Sequence, residues 1–246
     1  MKILVCVSKT PETTANINFT NNNTEFDTNG VSFIMNPYDE WYALVRALEL
    51  TEANGGSVTI VNVGPAINDA VIKKGLAIGA KDAVRIDAEP TSALFVAKQI
   101  AAYAKSEAYD IIFTGKESID YNGSLVGGMI AELLDLPYIS YASSLELAGN
   151  TATMNREIEG GTEVVQVDTP FVVSAAKGMA EQRIPNMRGI MMAKKKPLNV
   201  VAAQAAQDNE KVVEFKVVPK DRAIKMINPE DMAELVRLLH EEAKAI

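Results

Sequence analysis

Residues 109–136, YDIIFTGKESIDYNGSLVGGMIAELLDL, read as strand, loop and helix. Ile111, Ile112 and Phe113 form a short apolar run with a β-branched start, which suits a strand buried in a parallel sheet. Gly115 ends the run. Residues 115–124 are rich in Gly, Asn, Asp and Ser and so form a loop. From Leu125 onward, Met129, Ile130, Leu133 and Leu134 recur at helical spacing. A loop that runs from a parallel strand into a helix N-terminus aims free backbone N–H groups and the positive end of the helix dipole at an anion. Gly123, Gly127 and Gly128 let a ligand or a neighbouring strand come close to the backbone. Two readings stand side by side: a phosphate loop, or an ordinary strand-to-helix turn whose glycines serve packing. GSLVGG is neither GxGxxG nor the P-loop pattern.

Working outward, strand and helix signals alternate. KILVCVS (2–8) is a first buried strand. Residues 10–30 carry the turn signals NNNT and TNG and predict a hairpin excursion, with Ile17 and Phe19 on one arm and Val31 and Phe33 on the other. Asn36 fits a helix N-cap, Pro37 fits the first helical position, and Asp39 and Glu40 favour the positive end of the dipole. Trp41, Leu44, Val45, Leu48 and Leu50 give that helix an apolar face, and Gly55-Gly56 stop it. VTIVNVG (58–64) is a second strand, 67–78 a helix, AVRI (83–86) a strand and 91–105 a helix. The alternation predicts an α/β fold, a doubly wound, mostly parallel, Rossmann-like sheet with helices on both faces. Ligands on such sheets sit outside the carboxyl ends of the strands. That places Ser8, Asn36, Val63-Gly64 and the 115–124 loop around one crevice.

After Pro137 the pattern changes to antiparallel strands at 138–148, 151–158 and 163–168, joined at Gly149-Asn150 and Gly160-Gly161. PFVVSAA (170–176) returns to a buried strand. Residues 177–197 show no clear period and hold four methionines, Arg183, Arg188 and AKKKP. Met-rich loops suit adaptable partner surfaces, and core packing is the alternative. Residues 198–227 read as a polar, extended arm, followed by a terminal helix from Asn228 to about Ala243 with NPED as its N-cap signal. The division expected is an α/β domain at 1–197 and an arm plus helix at 198–246 that wraps a partner subunit.

The composition bounds function. The chain has 246 residues, 48% apolar and 23% charged, ordinary for a globular protein. A net charge of −8 argues against nucleic acid as a main partner. No apolar run is long enough to span a membrane, and Met1-Lys2 leads straight into ILVCV, too short for a signal core. The single cysteine, Cys6, excludes an internal disulfide and lies inside an apolar strand, where a small core residue is expected rather than a nucleophile. The expected compartment is the cytoplasm, and an organelle protein stripped of its targeting segment would look the same. The only histidine, His240, lies in an acidic terminal stretch and reads as a solvated helix residue. No Cys/His cluster has metal spacing. Hydrolytic or metal chemistry is therefore not expected.

Several separated segments together resemble the small (beta) subunit of electron transfer flavoproteins. They are KILVCVSKTPE, VSFIMNPYDE, VTIVNVGPA, DIIFTGKESID, NREIEGGTEVVQVDTPFVV and MRGIMMAKKKPL, in matching order and spacing over about residues 1–200. The segment around NREIEGGTEVV is the most specific of them. The resemblance implies an electron carrier rather than an enzyme. It would be a heterodimer with a larger alpha subunit, taking electrons from dehydrogenases such as acyl-CoA dehydrogenases and passing them towards a membrane quinone oxidoreductase. FAD would lie between the subunits, held mainly by alpha, and the small subunit would bury a structural AMP.

Carried onto this sequence, the AMP site would use Cys6, Asn36, Pro37, Tyr38, Asp39, Val63 and the loop from Gly115 through Lys116, Ser118, Asp120, Tyr121, Asn122, Gly123, Ser124 and Leu125 to Val126. The segment 176–196 matches the one that docks dehydrogenases. Met187 stands where an apolar anchor is presented, among Arg183, Arg188, Lys194, Lys195 and Lys196. Glu157 matches an acidic residue facing alpha. The chain departs from the family at 124–127, Ser-Leu-Val-Gly where many members have Asn-Gln-Thr-Gly, and at Gln182 where proline is common. Family members that bifurcate electrons hold a second FAD in place of AMP. Outside the family, a stand-alone ATP-binding stress-type module shares the fold and a Gly-Ser loop, and a hydrolase of the related superfold is a weaker alternative.

Overall fold

The computed structural model describes residues 1–208, 210–217 and 224–246. In chain order its elements are strand β1 (Lys2–Cys6), the short strands β2 (Lys9–Pro11), β3 (Phe19–Thr20), β4 (Glu25–Phe26) and β5 (Phe33–Met35), helix α1 (Asp39–Asn54) and strand β6 (Ser57–Val63). Helix α2 (Asp69–Ile78), strand β7 (Asp82–Asp87), helix α3 (Ala93–Lys105), strand β8 (Ile111–Gly115) and helix α4 (Val126–Leu134) follow. The remainder is β9 (Tyr138–Ala148), β10 (Thr151–Ile158), β11 (Gly161–Asp168), β12 (Phe171–Ala175), helix α5 (Met187–Ala193), β13 (Leu198–Ala202) and helix α6 (Met232–Glu241).

One nine-stranded sheet runs β11-β10-β9-β12-β8-β1-β6-β7-β13. Pairing is parallel from β9 to β13, and β10 joins β9 and β11 antiparallel, so the antiparallel strands extend the main sheet instead of forming a separate layer. Alternation along β1 divides the core. Ile3 and Val5 face α1 and α2 with Ile60, Ile111 and Phe113, while Leu4 and Cys6 face α3 and α4 with Val61, Val63 and Ile112. Phe113 and Phe171 are fully buried. Each such side chain contributes about 1.5–3 kcal/mol relative to exposure. The doubly wound sheet expected from the alternating pattern is the one observed. The chain passes from β1 to β6 on one side and returns to β8 on the other, so the order of winding reverses between β1 and β8. Crevices at such reversals are where doubly wound sheets take ligands.

Several local expectations are corrected. Asn36 is not a helix N-cap: α1 begins at Asp39 after Tyr38, whose φ of 64° and ψ of −102° lie outside helical space. The excursion at 10–30 is two ladders, with Phe19 opposite Phe26 at the tip and β2 on β5 at the base, so Phe19 does not face Val31 and Phe33 across one hairpin. The stretch 177–197, read as aperiodic, contains α5, capped by the Asn186 side chain accepting from the Gly189 N–H at 2.8 Å. Residues 198–202, assigned to the arm, pair with β7 as the last strand of the sheet, so the sheet continues past the boundary placed at 197/198. The terminal helix starts at Met232, with Asp231 rather than Asn228 as its cap. Residues 209 and 218–223 of the expected arm lie outside the described residues.

Candidate functional site

The carboxyl ends of β1 and β8 meet the start of α1 at the reversal point. The Asn36 N–H donates to the Ser8 carbonyl at 3.0 Å. Its side chain, fully buried, spans the gap to the loop after β8: Nδ2 donates to the Glu117 carbonyl at 2.9 Å, and Oδ1 accepts from the Ile119 N–H at 3.1 Å. Asn36 therefore acts as a strut for the loop. Gly115 lets α1 press on the strand end, since a Cβ there would lie 2.8 Å from Glu40 Cγ and 3.2 Å from Asp39 Cβ.

Pro37, Tyr38, Asp39, Tyr42, Lys116, Glu117, Ile119 and Lys177 line a cavity of about 220 Å³ at this junction. Tyr38 is 56% exposed although its backbone is strained, a combination seen where neighbouring structure holds a residue in place. Lys116 pairs with Glu117 at 3.0 Å. Burial pushes the Asp39 carboxyl up, and Lys116 draws it partly back.

The loop then runs along the surface to α4. Asn122 donates its N–H to the Ser118 carbonyl at 2.9 Å, and Asn122 and Ser124 both have left-handed φ, 49° and 52°. Tyr121 is 72% exposed. No side chain caps α4, because the residue before it is Leu125. Its first N–H groups thus have no side-chain acceptor of their own, which fits a ligand anion. The Glu117 carboxylate is close, accepting from the Ser124 hydroxyl at 3.4 Å, and Lys116 offsets its charge.

The glycines divide between the two sequence readings. A Cβ on Gly127 would lie 2.7 Å from Thr114 Oγ1 and 2.9 Å from the Tyr138 hydroxyl, so this glycine serves helix–sheet packing. A Cβ on Gly123 would meet nothing within 4 Å, so the chain itself gives no packing reason for that glycine.

Of the residues expected at the site, Pro37, Tyr38, Asp39 and Lys116 line the cavity, Asn36 is bonded to Glu117 and Ile119 of its lining, and Gly115 packs against Asp39 and Glu40. Cys6 and Val63 lie buried at the ends of adjacent parallel strands, on the α3/α4 side. Burial, with the Glu40 carboxylate nearby, drives the Cys6 thiol far up.

Glu40 was read only as a residue suited to the helix dipole. It is buried, and it accepts from the Ser8 N–H at 2.6 Å and the Ser8 hydroxyl at 2.7 Å. Burial pushes its carboxyl up to about 8 against those hydrogen bonds. A signal was available, because Glu40 falls four residues before Leu44 and eight before Leu48, on the apolar stripe of the helix.

The residues expected to face partners separate into two groups. Met187 opens α5 and is 75% exposed; Arg188, Lys194 and Lys195 are exposed. Arg183 forms a two-pronged pair with Glu52 at 2.7 and 3.1 Å, and its carbonyl accepts from the Trp41 indole at 3.1 Å. The Lys196 ammonium is turned inward onto backbone carbonyls. Glu157 is exposed on β10, opposite Thr162. Among the described residues no helix is long and apolar enough to cross a membrane, and no group of three or more His, Cys, Asp or Glu side chains is arranged to hold a metal. His240 meets the Ile246 carbonyl at 3.0 Å on the exposed terminal helix.

Comparison with known proteins adds a second line. A family described as "Electron transfer flavoprotein domain" matches residues 24–206. The chain is 35% identical to the electron transfer flavoprotein subunit beta of Bacillus subtilis, over 88% of this chain and 90% of that protein. It is 32% identical to the subunit of the same name from Bradyrhizobium diazoefficiens, over 99% of both chains. It is also 32% identical to the mitochondrial beta subunit of Arabidopsis thaliana, over the full length of both.

Proposed function

Since the chain belongs to the electron transfer flavoprotein family, as a relative of its beta subunits, we propose that it is the small subunit of a heterodimer that carries electrons from dehydrogenases. The larger alpha subunit holds most of the FAD, and that flavin supplies the redox chemistry. This chain makes and breaks no covalent bonds. It encloses one side of the cofactor, buries an AMP and presents a docking surface to dehydrogenases such as those acting on acyl-CoA. The electrons go on towards a quinone oxidoreductase at a membrane. Relatives from bacteria and mitochondria support a cytoplasmic or matrix setting.

The observation that carries the nucleotide part is the strut from Asn36 to the loop after β8, at the point where the sheet reverses its winding. The donor set suits a nucleotide phosphate: the opening N–H groups of α4 lack a side-chain cap, and Lys116 pairs with Glu117, whose carboxylate meets the Ser124 hydroxyl just before that helix. The amide and hydroxyl side chains that many family members place at 125 and 126 are here Leu and Val, so backbone groups and Ser124 hold the phosphate. Residues 203–246, with α6, pack on the alpha subunit, and Glu157 faces it.

The test is the nucleotide released on denaturing the purified chain, together with the colour of the complex made with an alpha subunit. AMP and a yellow complex support the proposal. A second FAD in the crevice points to the bifurcating type. ATP with no yellow complex points to a stand-alone ATP-binding module and overturns the subunit reading.

A further inference from the structure

We propose that Lys196 is a positioning residue that fixes the direction in which α5 presents its exposed apolar side chains to a partner; the proposal rests on the docking role given above to residues 176–196. Helix α5 has seven residues, far too few to hold itself in water. Met187, Met191 and Ile190 on it are 75%, 67% and 43% exposed, so its own packing does little to orient it. Its orientation is set by what it rests on, which is the C-terminal end of α2.

That end of α2 leaves backbone carbonyls without helical partners and carries the negative end of the helix dipole. The Lys196 ammonium occupies it, donating to the carbonyls of Ala80 at 2.5 Å, Leu76 at 2.8 Å and Gly79 at 3.2 Å. An ammonium has three donors and no acceptor, and here each donor has a carbonyl. Two further contacts close the join. Gly189 lies so near α2 that a Cβ would sit 2.4 Å from the Ala77 carbonyl oxygen. Pro197, directly after Lys196, accepts from the Ala83 N–H at 3.0 Å and leads into β13. Lys194 and Lys195 are exposed, so the basic run divides into two outward charges and one inward tether.

The test uses the complete heterodimer. Lys196→Met keeps a chain of similar bulk and removes the charge and all three donors, whereas Lys196→Arg keeps a cation. Gly189→Ala leaves Lys196 intact and forces α5 away from α2. The measurements are amide hydrogen exchange across 187–193 and steady-state kinetics with an acyl-CoA dehydrogenase and its substrate.

Lys196→Met and Gly189→Ala are both expected to speed exchange across α5 and to raise the dehydrogenase's KM for the heterodimer about tenfold, a loss of roughly 1.4 kcal/mol, with kcat and flavin content unchanged. The change should persist at high salt, and Lys196→Arg should recover most of it. Parental exchange in Lys196→Met overturns the proposal. So does a KM effect that salt abolishes, since that would make Lys196 a steering charge. If neither Lys196→Met nor Met187→Ala alters KM, the docking reading fails and takes the proposal with it. If only Met187→Ala alters KM, docking stands and the positioning role is overturned.

Discussion

Glu40 and Ser8 are joined twice at the carboxyl end of β1, the Ser8 N–H donating to Oε2 at 2.6 Å and its hydroxyl donating to Oε1 at 2.7 Å. Because burial raises the carboxyl from 4.5 to about 8, the native state holds a proton there that the unfolded chain releases. The sign follows directly. The native state binds more protons between those values, so the contribution is complete below about pH 4.5 and is lost as pH climbs through about 8. The slope is at most about 1.4 kcal/mol per pH unit. Thermal midpoints from about pH 5 to about pH 9 should fall more steeply in the parent than in Glu40→Gln, whose amide does not titrate. Burial also raises the Asp39 carboxyl, but Glu40 is not among the groups that shift it, so the difference between the curves reports on Glu40. Parallel curves would show that Glu40 does not change charge in this range.

Asn36 supplies the second prediction. Asn36→Ala leaves the Glu117 carbonyl and the Ile119 N–H without their partner. Each unpaired group in a partly buried setting costs about 1–3 kcal/mol. A stability loss of about 2 kcal/mol or more is expected, with nucleotide occupancy falling further than stability does because the loop loses its strut. If the urea midpoint drops while bound nucleotide stays at parental stoichiometry, the strut matters to the fold alone.

Gly123 and Gly127 make a paired test of the two readings of the central loop. A Cβ at Gly123 meets no atom of the chain within 4 Å, so Gly123→Val should leave the melting temperature near the parental value and empty the nucleotide site by blocking close approach. Gly127→Ala drives a methyl to 2.7 Å from Thr114 Oγ1 and should destabilise by about 1–3 kcal/mol, the usual range for overpacking. Full nucleotide occupancy in Gly123→Val would remove the phosphate from this turn.

What was legible in the sequence was whatever depends on burial. The strands around β1 are continuous apolar runs because both faces are covered, and α1 shows a clear stripe because one face is. Helix α5 was not legible: of its residues only Ala193 is buried, so no apolar period exists to be read. β13 was missed for a related reason, since an edge strand with Val200 54% exposed carries a weak signal. The Asn36 error has a different source. Asn-Pro followed by acidic residues is a sound N-cap pattern, but this amide is used by a loop 81 and 83 residues further on, and no local pattern reports that. Likewise, the composition of AKKKP does not reveal that one lysine turns inward.

Among the described residues, the C-terminal segment is tied back to the excursion at Phe215. Phe215 stacks on Phe19 with ring centroids 4.6 Å apart, and its N–H donates to the Asn23 carbonyl at 2.7 Å. Phe215→Ala removes the stack, worth about 0.5–1.5 kcal/mol beyond its area. Hydrogen exchange across 210–217 should rise and the heterodimer should dissociate faster, with the sheet untouched. Removing residues 221–246 should weaken the heterodimer further. An unchanged dissociation constant after that truncation would leave the terminal segment with no part in assembly.

Met187 is the residue on which the docking reading stands or falls. It opens α5 with its side chain 75% exposed, so it is not packed in the core beside Ile190, and Met187→Ala should leave the thermal midpoint within the small range of surface changes. An apolar side chain held out on a short helix finds its use in a partner's pocket, and truncating an interface anchor typically costs about 2 kcal/mol or more. Turnover with an acyl-CoA dehydrogenase at limiting concentration should therefore slow by about thirtyfold, with flavin content and reduction by dithionite unchanged. The charges around it act differently. Arg183 is engaged by Glu52 and Lys196 by the end of α2, which leaves Arg188, Lys194 and Lys195 to steer an acidic partner. Reversing Lys194 and Lys195 should lower the association rate at low salt and have little effect once salt shortens the screening length to a few ångströms. A Met187→Ala protein with parental partner kinetics would move docking away from α5, whatever the charge variants do.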